Sequence, residues 1–426
     1  MSASARIALA SISSKAHPSF VRSGISVQVM RRALGSVAMV LAVALSFGCE
    51  ADSAAPTQRP ERLTSDVGTD DVSFLYPLAV PHAQRVELLG TTTSGPRGPL
   101  LPRDLYDGLP GLDVLTPNGD LYTLFRVVSV RIDPCFPGLG VADEGACKNQ
   151  VRLVMQPVLP KPGSGLTTQD LALHLFYTVT RAELSKLLAE VVALRESTGT
   201  GISAGNPRVH PVLAAGLGGA GSKALRESLL AVAGRSTLTR VTFMGLEHVG
   251  LAWRFGGFDV EGGRLVPMTI PKAGTSIQSF VNRDIEGRTF EAAEAFPSTD
   301  SMAKLALFFD RKRLEAASSE ELTSSLDMLY RLESPKAHSP DTVDCVSCHV
   351  AHAAESFAAS VRPLVGAEAA RYVSPRGGEV TRDRPFATNE LRAFGYFGDR
   401  ASVSPRVSHE TAEVVAHVNR VVKSAP

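Results

Sequence analysis

Methionine is absent beyond Met328, tryptophan occurs once, at Trp253, and cysteine occurs only five times in 426 residues. The cysteines are too scattered to complete a zinc site around any one pair, since such a site needs four ligands at fixed geometry. A surplus of charge is also missing: 44 Lys and Arg face 43 Asp and Glu, which excludes the basic footprint left by nucleic-acid binding. No Ser/His/Asp set and no paired carboxylates stand out between residues 71 and 310, so that region is assigned no catalysis. Nor is any apolar run long enough for a comfortable membrane span. What remains is ordinary globular composition, 44% hydrophobic and 20% charged, in a chain long enough for two or three domains.

Residues 30–49 combine a basic start at Arg31 and Arg32, an apolar stretch and a terminal Gly48-Cys49, the layout of a secretory signal peptide. Met30 makes a better start for it than Met1, and 1–49 are read together as the signal segment. Its end resembles the lipobox of bacterial lipoproteins, which implies that Cys49 carries the lipid; secretion without lipid is the alternative. Residues 1–48 hold five Lys and Arg and no Asp or Glu, so the processed chain has 39 basic against 43 acidic residues. Residues 50–70 are rich in Ala, Ser, Thr, Pro and charge and predict a flexible tether. The expectation is an exported protein, held by a lipid anchor at the cell membrane or outer membrane and facing the periplasm or the outside.

Residues 71–317 predict an α+β domain with a mixed or antiparallel sheet. Residues 121–132, 151–159 and 171–179 are rich in β-branched and aromatic side chains and read as strands. Between the first two lie Cys135 and Cys147, which in an exported protein pair as a disulfide worth about 3 kcal/mol by loop closure. Thr180 and Glu183 form a capping box opening a helix with Leu184, Leu187, Leu188 and Val191 on its buried face. His174, inside its strand, reads as a core histidine. Gly216-Leu-Gly218-Gly-Ala-Gly221 matches a dinucleotide fingerprint literally. It lacks the acidic residue about twenty positions on and follows Pro211, so a loop leading into a helix is preferred. Residues 237–243 and 251–260 read as further strands, the second turning back through Gly262-Gly263, and Trp253, Phe255 and Phe258 belong to the packed sheet.

The densest chemistry lies in Cys345-Val-Ser-Cys348-His349. Two thiols separated by two residues can each form a thioether to a porphyrin vinyl group, and the adjacent imidazole then reaches the iron; C-x-x-C-H is the attachment signature of c-type haem. A disulfide between the two cysteines, a redox pair and half of a zinc site are the alternatives. Turn residues, Ser339-Pro340-Asp341-Thr342, precede the motif where a redox pair would follow a strand. An amphipathic helix over 318–333 leads into the motif, and a last helix is expected from about His409 to Val422.

With the motif early and a helix last, residues 318–426 resemble a small monohaem cytochrome c domain, mainly α-helical. The resemblance implies one covalent haem c on Cys345, Cys348 and His349, with His349 on the iron, and a redox partner protein not legible here. A shorter stretch, 388–399, is similar to the segment before the last helix of dihaem cytochrome c peroxidases, with Gly398 where a histidine is usual. The sixth ligand stays open among His409, the best placed, His352, His338, an upstream Met328 or Met302, and none; His417 reads as core. The expected function is electron transfer. A binding lipoprotein with structural haem or none, and a peroxidase-like enzyme, are the alternatives.

Overall fold

The computed structural model describes residues 65–110, 120–134, 148–247, 252–282, 292–296, 305–340, 342–366, 371–374 and 390–423. The expected signal segment with Cys49, most of the expected tether, Cys135 and Cys147 of the expected disulfide, and Met302 lie outside the described residues. Residues 58–426 belong to one compact unit, and the expected division at 317/318 falls inside it.

In chain order the strands are β1 (Ser73–Leu75), β2 (Ser94–Gly95), β3 (Gly98–Pro99), β4 (Phe125–Asp133), β5 (Gln150–Pro160), β6 (Leu166–Thr168) and β7 (Leu171–Thr178). They continue with β8 (Leu238–Glu247), β9 (Ala252–Glu261), β10 (Arg264–Pro267), β11 (Ile277–Asn282), β12 (Ala292–Phe296), β13 (Phe394–Phe397) and β14 (Arg400–Val403). Eight of them form a path, β1-β4-β5-β7-β8-β9-β11-β12, with every pairing antiparallel. The class is therefore α+β with an antiparallel sheet, and the expected strands over 151–159 and 171–179 are β5 and β7. The β9–β10 hairpin turns through Gly262 and Gly263, both at positive φ, the conformation that a two-residue turn of this hand demands and glycine adopts without strain.

Alternation along the strands assigns two faces, because directly paired residues point the same way. Leu153, Leu173, Leu175, Tyr177 and Val241 are buried in one apolar cluster with Leu184, Leu187 and Leu188 of helix Arg181–Ser197 and Leu225 and Leu229 of helix Ala220–Val232. The capping box of the first helix forms as expected, with Thr180 Oγ1 accepting from Glu183 N and Glu183 Oε2 accepting from Thr180 N. The other face carries Arg152, Phe176 and Arg240 in one paired row, Val154, His174, Thr242 and Gly257 in the next, and Ala172, Met244, Phe255 and Gln278 in a third. Over this face lie the C-terminal elements: helix Ser319–Glu333, the motif helix Cys345–Val361, the β13–β14 hairpin and the closing helix Pro405–Lys423.

Two expectations change. Residues 121–124 form a helical turn before β4, because the Asp120 side chain accepts from Tyr122 N and caps it. The end of the tether is folded: Asp70 and Asp71 are fully buried and pair with Arg208 at 2.8 Å and Arg195 at 3.0 Å. Val67 is clasped to the closing helix, donating to Asn419 Oδ1 at 2.8 Å and accepting from its Nδ2 at 3.0 Å. Buried carboxylates with guanidinium partners and a paired backbone group leave no reason for residues 65–70 to stay solvated. No helix among the described residues is long and apolar enough to cross a membrane.

Candidate functional site

The motif helix begins at Cys345 because Asp344 caps it. Asp344 Oδ2 accepts from Ser347 N at 3.0 Å and also from Gln278 Nε2 of β11 at 2.9 Å, while Gln278 Oε1 accepts from Val346 N at 3.2 Å. Both side chains are buried, so the first turn is fixed to the sheet by hydrogen bonds that water does not weaken. Within that turn Cys345, Cys348 and His349 stand at i, i+3 and i+4, the spacing that puts side chains on one helix face.

Both cysteines are free thiols and half-buried. Burial, helped by the neighbouring Cys348 and Asp344, pushes the Cys345 thiol up to about 12; burial likewise pushes Cys348 up to about 11. They are protonated at neutral pH, the reverse of the lowered thiol that a redox pair needs. Among the described residues neither sulfur belongs to a cluster of three potential metal ligands. His349 Nδ1 is 2.8 Å from the Leu391 carbonyl. A carbonyl only accepts, so the ring proton sits on Nδ1 and Nε2 keeps its lone pair. Burial lowers the imidazole pKa and holds the ring neutral. Its ring lies 4.9 Å from that of Phe255 on β9.

No protein-family model, curated protein or solved structure matches this chain. Geometry alone therefore carries the chemistry. Two protonated thiols and one imidazole with a free Nε2, on one helix face beside a sheet, are the groups that an attached haem requires: two sulfurs for thioethers and one nitrogen for the iron.

Beside the motif lies a buried charge network that pattern reading missed. Arg131 of β4 pairs with Asp133 and with Glu410 of the closing helix; Arg406 reaches Glu410 at 2.6 Å, and Arg152 lies 3.3 Å from Asp133. Burial alone would raise Glu410, but the charges of Arg406, Arg131 and Arg152 hold it down at about 2. The Arg152 guanidinium also stacks 4.6 Å above the Phe176 ring. Arg406 further donates to the carbonyls of Leu332, Ser334 and His338, fixing the segment that leads into the motif.

The expected sixth ligands are dispersed. His409 lies inside the closing helix, which starts at Pro405, and not on a turn before it. Its Nδ1 donates to the Glu333 carbonyl at 2.9 Å and its ring stacks on Tyr372 at 4.3 Å. His352 groups with Glu333 and Glu355, their ligand atoms within 4.8 Å of one another. His338 Nδ1 is 3.3 Å from Thr342 Oγ1, and Met328 is buried among apolar side chains that include Leu329 and Tyr330. Gly398, at the position compared with a peroxidase histidine, sits in the β13–β14 turn at φ +65°. The glycine-rich segment 216–221 follows a helical turn, Pro211–Ala214, where a dinucleotide fingerprint needs a strand, and Ser222 Oγ donates to the Gly216 carbonyl at 2.6 Å. Trp253 and Phe255 are buried as expected, but on the face that the motif helix covers.

Proposed function

We propose that this chain is an exported, lipid-anchored c-type haem protein that transfers electrons, with residues 318–426 as its cytochrome c-like part. The observation that carries the reading is one helix face presenting the Cys345 and Cys348 thiols beside His349, whose Nδ1 is tied to Leu391 so that Nε2 is left to bind a metal. A haem held there supplies reversible one-electron exchange at its iron. Cys345 and Cys348 would hold the porphyrin through thioethers, His349 would bind the iron, and Asp344 with Gln278 fixes the angle of the helix that bears all three. Partial burial by the sheet and by the elements around the motif lowers the local dielectric at that face. Cys49 would carry the lipid, Cys135 and Cys147 would form the disulfide, and a redox protein is the electron donor or acceptor; nucleic acid is no partner.

The test is production of the full chain, with its own signal segment, in a bacterium that has c-type haem maturation. The expected product is coloured, shows a visible α-band and keeps its haem through acid extraction, and Cys345→Ala with Cys348→Ala abolishes retention. A colourless protein, or haem that leaves with the acid, overturns the reading.

A further inference from the structure

We propose that His174, on the central strand β7, is the distal iron ligand, so that the haem is clamped between the motif helix and the sheet by two imidazoles. This rests on the haem reading above. The register places His174 on the same face as Phe255, whose ring touches His349, one paired row away along the strands. Its row partners, Val154, Thr242 and Gly257, are short.

No described residue hydrogen bonds to the His174 ring, although it is only half-buried by accessible surface and sits mid-strand under the C-terminal elements. Neither ring nitrogen is engaged by a described residue, so one is available to a metal. Burial, with the nearby charges of Arg152 and His349, drives its pKa down to about 3. The ring is therefore neutral, as a metal ligand must be. Tyr372 and Thr342, by contrast, already engage His409 and His338, and His352 lies in a separate group with Glu333 and Glu355. The competing soft donor on this face is Met268, whose sulfur occupies the position a side chain on Gly257 would take.

Spectroscopy and carbon monoxide binding on the matured full-length protein decide the matter. The wild type is expected to be low-spin in both oxidation states, without the thioether-to-iron band of methionine ligation, and slow to bind carbon monoxide once reduced. If His174 holds the iron in about nine molecules of ten, its removal speeds binding by about tenfold or more. His174→Ala should keep covalent haem at wild-type stoichiometry, become high-spin, and return to low-spin when imidazole is added, which a merely structural role does not produce. His174→Met guards against loss of folding in the alanine variant: it should display the thioether band and a higher midpoint potential.

A low-spin, carbon monoxide-resistant His174→Ala protein that retains haem overturns this assignment and leaves the haem reading standing. So does a wild-type thioether band that disappears in Met268→Leu, or rapid carbon monoxide binding by the wild type. Absence of covalent haem from the wild type overturns both.

Discussion

Replacing Glu410 by Gln tests the buried charge network directly. The carboxylate ordinarily titrates at 4.5 and is held at about 2 by Arg406, Arg131 and Arg152 against the opposing effect of burial. Its side chain is only 14% exposed, so solvent screens it little. The displacement corresponds to about 3 kcal/mol of folding stability at about 1.4 kcal/mol per pH unit. Because the folded-state value is depressed, this contribution is complete above about pH 4.5 and disappears as pH falls through 4.5 towards 2. Glutamine keeps the shape and removes the charge, leaving Arg131, Arg152 and Arg406 with Asp133 alone. At pH 7 the expected loss is about 3 to 5 kcal/mol, the range for breaking a buried ion pair. At pH 2 the wild-type carboxyl is about half protonated when folded and almost wholly protonated when unfolded, and the difference should shrink to about 1 kcal/mol. Urea denaturation of both proteins at several pH values gives the two curves. A difference that stays constant from pH 7 to pH 2, or one below about 1 kcal/mol at pH 7, refutes the argument.

Gln278→Leu removes both hydrogen bonds to the first turn of the motif helix and leaves Val346 N unsatisfied; the expected cost is about 2 to 4 kcal/mol in urea, with a lower yield of covalent haem by pyridine haemochrome assay. Cys49→Ala should move the protein from the membrane to the soluble fraction after cell fractionation, and persistent membrane association contradicts the lipid assignment. Peptide mapping without reduction should recover Cys135 linked to Cys147, and two alkylatable thiols there contradict the pairing.

The sheet was legible wherever a strand obeys period two. In β5, Val151, Leu153 and Met155 alternate with Arg152, Val154 and Gln156, and in β7 the leucines alternate with His174 and Phe176. The same alternation carried the warning that His174 does not point with the leucines, but a single strand does not reveal what covers its second face. That depends on register across β8 and β9 and on a segment about 170 residues later, which no local pattern encodes. The helix start at Pro405 was available from sequence, since proline suits the first helical position and Ser404 Oγ accepts from Val407 N at 3.4 Å. The folded end of the tether was not, because Asp70 and Asp71 look solvated until Arg195 and Arg208 arrive from elsewhere. The motif itself was legible because its chemistry is local: three side chains within one helical turn.

The clasp between Val67 and Asn419 joins positions 352 residues apart, and closing a loop of that length costs about 5 kcal/mol against about 3 for one of 30 residues. The meander, built from neighbours, therefore assembles before its ends meet. Until they do, the closing helix is undocked and its Arg406 and Glu410 are absent from the motif. During that interval, which ends when the last helix docks, Cys345 and Cys348 are less covered than in the folded chain, where both are half-buried.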